Sequence, residues 1–191
     1  SPIMLNVVRA IKKPSESPAS VLFTGESGTG KLRVARANHY DSPRKNVSFV
    51  SVNCSAIPEH LLESELFGAV KGAYTGATET RDGLFAKADG GSIFMDEISS
   101  TSSHMQSKLL RVLQEKEITK VGSSQSQKID VKVIAATNQN LKDLVEENRF
   151  REDLYYRLNV LPIDLPALCE REDDVLLLIH YFLQKYSNEY G

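Results

Sequence analysis

The 191-residue sequence has few cysteines, no tryptophan and no excess of either charge. Its two cysteines, Cys54 and Cys169, are too few for the disulfide framework of a small secreted domain, so we expect two reduced thiols. The 23 basic and 25 acidic residues give a net charge of −2, which disfavours a domain that coats nucleic acid. The longest apolar run, Val175 to Ile179, is far shorter than the ~20 residues that span a bilayer. No basic and apolar signal segment opens the chain, so we expect a cytoplasmic protein without membrane contact.

Apolar runs alternate with helical patterns along the chain. Strands are predicted at 21–24, 48–53, 92–96, 131–137 and 161–165. Between them, segment 104–116 is predicted to be a helix, because its apolar residues fall at i, i+4, i+7 and i+8 from Met105. This alternation predicts an α/β fold with a parallel sheet flanked by helices on both faces. We expect 14–18 to be a flexible connection, and the apolar periodicity of 174–186 predicts the start of a further helical unit.

The first chemical motif directly follows the first predicted strand and is a G-x-x-x-x-G-K run. Its residues are Gly25, Glu26, Ser27, Gly28, Thr29, Gly30 and Lys31. Glycines allow a tight turn whose N–H groups face phosphate oxygens, and the lysine reaches the β- and γ-phosphates. The next residue is Leu32, where a Ser or Thr hydroxyl normally holds Mg²⁺. The alternative interpretation is a glycine-rich turn that carries a surface lysine.

Polar side chains end two further predicted strands. Asp96 and Glu97 follow the apolar run of 92–95, so they are expected at the carboxyl edge of the sheet, where ligands of open α/β folds bind. Asp96 can hold Mg²⁺ through water, and Glu97 can polarise a water for attack on the γ-phosphate. Thr137 and Asn138 end the strand at 131–137 and can sense the same phosphate. Standing alone, the acidic pair is more simply a solvated strand end, and Thr137 and Asn138 are more simply a strand-to-turn transition, but the phosphate loop in the same chain favours the functional interpretation of the acidic pair.

Two arginines lie six residues apart in the helical segment 150–158. Arg151 and Arg157 have no necessary relation to a phosphate loop of the same chain. They can reach a nucleotide that is bound by a neighbouring subunit, as arginine fingers do. From spacing alone, surface salt bridges are the simpler interpretation.

A loop of small residues follows the acidic helix predicted at 59–67. Its residues are Gly72, Ala73, Tyr74, Thr75, Gly76 and Ala77. A flexible loop that exposes an aromatic ring is costly unless the ring meets a partner. The residues alone do not identify that partner.

Together these segments resemble the central AAA+ ATPase domain of bacterial enhancer-binding proteins, the activators of sigma-54 RNA polymerase. The resemblance rests on the phosphate loop and on the runs SELFG at 64–68, GAYTGA at 72–77 and ADGG at 88–91. The GAYTGA run is the most specific, since G-A-F/Y-T-G-A is distinctive of this family and is its sigma-54 contact. The resemblance implies a P-loop NTPase core that hydrolyses ATP with Mg²⁺. It also implies a ring, usually a hexamer, with nucleotide between subunits and a loop that pushes on sigma-54 in the closed promoter complex.

The resemblance assigns roles to individual residues. Nucleotide contacts fall on the phosphate loop from Gly25 to Leu32 and on Asp96, which is also matched to the metal ligand. Catalytic roles fall on Glu97 as the base, Asn53 as the residue that holds this base in an inactive pose, Thr137 and Asn138 as the first sensor, and Arg151 and Arg157 as trans-acting fingers. With this resemblance we favour the finger interpretation of the two arginines over salt bridges.

Four positions depart from the family's usual pattern. Leu32 replaces a usual Glu, Ala69 and Val70 replace His and Glu, and Cys169 replaces a common Arg. These changes leave open a nucleotide-binding interaction module that has lost hydrolysis. An AAA+ remodeller with a different client is a further alternative.

The resemblance also predicts the domain organisation. We expect 1–170 to be the ATPase core and 171–191 to be the start of a helical lid, most of which is missing. Regulatory and DNA-binding domains that flank this core in the family are absent, so DNA contact is expected through a domain outside this chain. Without its lid, the chain alone is expected to hydrolyse ATP slowly.

Overall fold

Five parallel strands form the central sheet of the computed structural model, which describes residues 2–171 and 174–190. The strands are β1 (Val21–Thr24), β2 (Phe49–Asn53), β3 (Gly68–Ala69), β4 (Arg81–Asp82), β5 (Ser92–Asp96), β6 (Glu117–Thr119), β7 (Ser126–Lys128), β8 (Lys132–Thr137) and β9 (Leu161–Asp164). The α-helices are α1 (Pro2–Glu16), α2 (Lys31–Tyr40), α3 (Glu59–Phe67), α4 (Leu84–Lys87), α5 (Ser103–Glu115), α6 (Leu141–Glu146), α7 (Glu152–Leu158) and α8 (Asp174–Tyr190). The sheet order is β2-β5-β8-β1-β9, and β3–β4 and β6–β7 are separate antiparallel pairs.

The central strands are buried on both faces, because alternate residues join two apolar clusters. In β8, Val133 and Ala135 join the cluster formed with α3, α5 and α7, whereas Ile134 and Ala136 join the cluster formed with α1 and α2. A strand with apolar residues at successive positions suits a sheet between two helical layers. The predicted α/β fold is therefore confirmed.

Most element boundaries agree closely with the sequence pattern. The predicted strands 21–24 and 92–96 have the observed bounds, and the other three differ by one residue at one end. The helices predicted at 59–67, 104–116 and 174–186 correspond to α3, α5 and α8. No helix within the described ranges has the length and apolarity needed to cross a membrane.

The flexible connection predicted at 14–18 is wrong, because α1 continues to Glu16 and contains Pro14. A proline in a helix removes one backbone hydrogen bond. Here the loss is offset by tertiary contacts, since Ile11 and Pro14 are buried. The fully buried Lys132 also donates from Nζ to the carbonyl oxygens of Pro14 and Ser15. These bonds satisfy carbonyls that a helix end otherwise leaves without partners.

Candidate functional site

The strand order brings the polar motifs to one edge of the sheet. The phosphate loop leaves the carboxyl end of β1, whose Thr24 pairs with Thr137 of β8. On the other side of β8, Asp96 ends β5 and pairs with Asn53 of β2. Parallel strands place all their carboxyl ends on the same side, which is where open α/β sheets bind ligands.

The phosphate loop has the backbone shape of an anion site. Gly28 and Gly30 have positive φ angles of 81° and 94°, which side chains other than glycine rarely adopt. Within the described ranges, the N–H groups of Ser27, Gly28 and Gly30 have no hydrogen-bond acceptor. Helix α2 begins at Lys31, so its positive N-terminal end adds to these donors. The loop can therefore receive a phosphate without breaking a backbone bond.

Lys31 is folded back against the loop. Its Nζ donates to the carbonyl oxygens of Gly25, at 2.9 Å, and Glu26, at 3.0 Å, and its side chain is buried. These carbonyls hold the ammonium group beside the loop, where the approach of a phosphate allows it to exchange partners. The interpretation of a glycine-rich turn with a surface lysine does not fit, because the lysine is buried.

The acidic pair lies at the end of β5 in a constrained turn. Glu97 has φ 53° and ψ 48°, a left-handed conformation that is uncommon for a residue with a side chain. Its N–H donates to Asp96 Oδ1 at 3.0 Å. Asp96 Oδ2 has no hydrogen-bond donor among the described residues and is open to water or a cation. Strained conformations of this kind are held by the surrounding structure and cluster at functional sites.

The buried thiol of Cys54 lies close enough to this acidic pair for its pKa to be affected by the two negative charges. The N–H of Cys54 donates to the backbone carbonyl of Asp96 at 2.9 Å. Burial, together with the negative charges of Asp96 and Glu97, raises the pKa of the Cys54 thiol to about 12. Cys54 and Cys169 are both free thiols, and Cys54 stays protonated at neutral pH.

Asn53, Thr137 and Asn138 form no hydrogen bond with the side chains of Asp96 or Glu97 in the described part of the chain. Asn53 Oδ1 accepts from the N–H and the hydroxyl of Ser55 at 2.9 and 2.7 Å, and no described hydrogen bond links Asn53 with Glu97. The buried Thr137 hydroxyl bonds to the backbone of Gln139, which makes a strand-to-turn cap. Asn138 is exposed and lines a cavity of about 490 Å³ with Thr24 and Gly25.

The two arginines of segment 150–158 have different environments. Arg151 lies at the N-cap of α7 and donates to both carboxylate oxygens of Asp153, at 3.0 and 2.6 Å. The hydrogen bond from Arg151 lowers the pKa of Asp153. Arg157 is exposed and has no hydrogen bond or ion pair within the described part of the chain. In this single chain, Arg151 forms a local salt bridge, and Arg157 is available to another molecule.

The loop at 72–77 closes on itself through backbone bonds. The N–H of Gly72 donates to Ala77 at 2.8 Å, and the N–H of Ala77 donates to Tyr74 at 3.0 Å. Tyr74 is 37% exposed. Its hydroxyl has a single weak contact, 3.4 Å from an Arg81 guanidinium nitrogen. The aromatic ring is therefore presented rather than buried.

The base of this loop is fixed by close backbone packing. Gly68 and Gly83 approach so closely that a Cβ on Gly83 would lie 2.3 Å from the Gly68 nitrogen. The N–H of Val70 donates to Val121 at 3.0 Å, and the N–H of Val121 donates to Gly68 at 2.9 Å. Lys120 also forms a 2.7 Å ion pair with Asp82 of β4. The β6–β7 connection thus supports the loop.

Sequence reasoning missed Arg171, which contacts the phosphate loop from the far end of the chain. Its Nη2 donates to the Thr29 carbonyl at 2.6 Å. Both residues line a cavity of about 560 Å³ between α1, the phosphate loop and α8. No spacing rule links an arginine after the last strand to a loop after the first, so only the fold reveals this contact.

Comparison with known proteins identifies the family to which this chain is similar. Residues 1–164 match the family described as "Sigma-54 interaction domain". Over 189 residues the chain is 51% identical to Regulatory protein AtoC of Escherichia coli K12, covering 99% of this chain and 41% of AtoC. Over 191 residues it is 49% identical to the Nif-specific regulatory protein of Klebsiella pneumoniae, covering 100% of this chain and 36% of that protein. The crystal structure of NtrX from Brucella abortus in complex with ATP matches with a TM-score of 0.92 at 36% identity, covering 100% of this chain and 43% of NtrX. The chain spans about two fifths of the length of these relatives.

Proposed function

This chain belongs to the sigma-54 interaction domain family, and from that premise we propose that it is the ATP-hydrolysing AAA+ core of a cytoplasmic, sigma-54-dependent transcriptional activator. The observation that carries the proposal is the phosphate loop, with its unpaired N–H groups and buried Lys31, on the same sheet edge as Asp96 and Glu97. The ATP complex of the related NtrX supports the choice of nucleotide.

The proposed chemistry divides between binding and hydrolysis. The loop N–H groups and Lys31 bind the β- and γ-phosphates, and Glu97 positions and deprotonates the attacking water. Asp96 would hold Mg²⁺, which suits its open Oδ2 atom because this ion takes few carboxylates beside phosphate oxygens. When bound, the ion neutralises developing charge on the phosphates. Leu32 offers the ion no ligand, so Asp96 carries the protein's share.

Three further residues are proposed to respond to the nucleotide. Asn53 holds Glu97 in an inactive pose, and Thr137 and Asn138 sense the γ-phosphate. These roles require Asn53 to give up its bonds to Ser55 and Thr137 to give up those to Gln139. In the single chain, Asn53 therefore does not hold Glu97, and the Thr137 hydroxyl is occupied by backbone bonds.

Hydrolysis is proposed to require a neighbouring copy of the chain. Arg157, which lacks an ion-pair partner within the described ranges, reaches the nucleotide of the next subunit, and Arg151 joins it on leaving Asp153. The full-length protein would then assemble as a ring, usually a hexamer. We propose 1–170 as the ATPase core and 171–191 as the start of its lid.

The client is proposed to be sigma-54 RNA polymerase holoenzyme in its closed complex. The loop of residues 72–77 presents the Tyr74 ring, and nucleotide-driven movement of this loop would remodel the complex. DNA contact is assigned to a domain outside this chain.

Two substitutions test the nucleotide site. Lys31→Ala removes the one cationic side chain of the loop and is expected to abolish binding of a fluorescent ATP analogue. Glu97→Gln keeps the side chain's shape but cannot act as a base, so it is expected to bind nucleotide normally and lose turnover. Binding is measured by titration, and turnover by phosphate release.

The outcomes separate hydrolysis from simple binding. Equal nucleotide affinity in Lys31→Ala and the unsubstituted protein would refute the phosphate-loop assignment. If a longer, lid-containing protein that forms a ring binds ATP but releases no phosphate at any protein concentration, the chain is a nucleotide-binding interaction module. Leu32 is the specific feature that favours this second candidate.

A further inference from the structure

The segment that follows β9 packs directly against the phosphate loop. The N–H of Leu165 donates to the Thr24 carbonyl at 2.8 Å, at the point where β1 ends. A Cβ on Gly25 would lie 2.7 Å from the Leu165 carbonyl oxygen. This contact leaves no room for a side chain at the first loop position, so residues 165–171 form one wall of the loop.

Arg171 is the buried cation of this wall. Its side chain is 7% exposed, and burial of a guanidinium is costly unless its donors are satisfied. Nε and Nη2 both donate to the Pro166 carbonyl, at 3.1 and 2.8 Å, and Nη2 also donates to the Thr29 carbonyl at 2.6 Å. The rigid guanidinium thus links the turn after β9 to the phosphate loop.

The bond to Thr29 fixes the direction of a peptide group in the loop. In a planar trans peptide, the carbonyl of one residue and the N–H of the next point in opposite directions. By holding the Thr29 carbonyl, Arg171 directs the N–H of Gly30 away from itself. That N–H has no acceptor among the described residues, and it is one of the donors assigned above to the phosphates.

We propose that Arg171 is a positioning residue for nucleotide binding, which sets the peptide between Thr29 and Gly30 in the orientation that binds phosphate. This inference rests on the proposed ATP binding. Arg171 also accepts at its own carbonyl from the N–H of Asp174, the first residue of α8, at 2.9 Å. The same residue therefore connects the phosphate loop to the helix that closes the neighbouring cavity.

The test compares nucleotide affinity in four proteins. Arg171→Met keeps the length of the side chain and removes all its donors. Arg171→Lys keeps the charge, but it replaces the rigid planar guanidinium, which donates from both Nε and Nη2, by one flexible ammonium group. Glu170→Ala is the matched control, because Glu170 caps the N–H of Ala167 in the same turn at 2.7 Å without touching the phosphate loop.

Titration with a fluorescent ADP analogue is expected to rank these proteins. Arg171→Met should bind about tenfold more weakly, equivalent to about 1.4 kcal/mol, with unchanged stoichiometry per folded molecule. Arg171→Lys should lie between Arg171→Met and the unsubstituted protein, and Glu170→Ala should keep the parental affinity. Melting temperatures measured without nucleotide show whether loss of affinity is separate from loss of stability.

The following outcomes would contradict the proposed role of Arg171. Parental affinity in Arg171→Met overturns the inference, and so does an equal loss in Glu170→Ala, since the turn and not the arginine would then be responsible. If Arg171→Met does not fold, Arg171→Lys decides, and its parental affinity would overturn the inference. If the unsubstituted protein does not bind ADP or ATP, the proposed function itself fails, and this inference fails with it.

Discussion

Replacing the buried Lys132 by methionine should change the pH dependence of stability. Lys132 is 1% exposed, and burial, followed by the repulsion of Arg44, lowers the pKa of its ammonium group from 10.5 to about 8. Each pKa unit corresponds to ~1.4 kcal/mol, so holding the charged form in the folded protein costs about 3 kcal/mol below the folded pKa. The bonds from Nζ to Pro14 and Ser15 leave this charge in place at neutral pH.

The sign of the effect follows from which state binds the proton. As the pH rises from about 8 towards 10.5, the folded protein releases the Lys132 proton while the unfolded chain still holds it. The free energy of unfolding therefore rises across this window, by up to about 3 kcal/mol. The raised pKa of Cys54 acts in the opposite direction above pH 9.0, because the unfolded chain then ionises first. Both proteins contain Cys54, so its contribution cancels in their difference.

The measurement is urea unfolding of the unsubstituted protein and of Lys132→Met at pH values from about 7 to 10. The difference in unfolding free energy should rise in favour of the unsubstituted protein as the pH increases. Lys128→Met, at an exposed lysine of β7, is the matched control and should show a constant difference. A constant difference for Lys132→Met as well would refute the argument that its ammonium group is desolvated.

Two further predictions concern the partner contacts. Tyr74→Ala should weaken sigma-54 capture about 30-fold, from the loss of ~2 kcal/mol of aromatic burial, with little change in melting temperature, whereas Tyr74→Phe should keep capture. In the longer, lid-containing protein that forms a ring, Arg157→Ala should lower ATP hydrolysis by ~10³-fold at protein concentrations where activity per subunit has levelled off. Mixing it with Glu97→Gln should restore activity, because each variant supplies the half-site that the other lacks.

Controls for these two predictions are available in the same chain. A Tyr74→Ala protein that melts several degrees lower and still captures sigma-54 would contradict the contact role. Arg149→Ala removes an exposed arginine that pairs with Glu147 at 2.9 Å and should leave hydrolysis unchanged. If mixed Arg157→Ala and Glu97→Gln subunits remain inactive, the arginine does not act on a neighbouring site.

The sequence predicts the central sheet well because its signals are local. A strand such as 92–96 is a short apolar run with a polar end, and burial on both faces selects that composition. By contrast, β3 and β4 have two residues each, which is too short for any periodic pattern. In α1, Pro14 interrupts the local helical signal, and the carbonyls at the end of the helix are bonded by Lys132, which lies 118 residues further along the chain.

The same distinction between local and long-range signals applies to the candidate site. A phosphate loop and an acidic strand end are contiguous in sequence, so their residues could be named and their shared edge inferred from parallel strands. Whether Arg151 is paired with Asp153, or Thr137 with Gln139, depends on side-chain geometry that residue identity does not determine. The contact of Arg171 with Thr29 spans 142 residues and has no local signal.

The 72–77 loop is attached to the rest of the molecule at a pair of closely packed glycines, and this attachment is independent of the side chains at the tip of the loop. Gly68 and Gly83 meet through backbone atoms alone, and the bonds from Val70 and Val121 are likewise backbone bonds. None of these contacts depends on the identity of the residues at the tip. Substitutions at Tyr74 and Thr75 can therefore accumulate without disturbing the attachment of the loop, so under the proposed client contact the recognition surface can change while the fold that holds it stays the same.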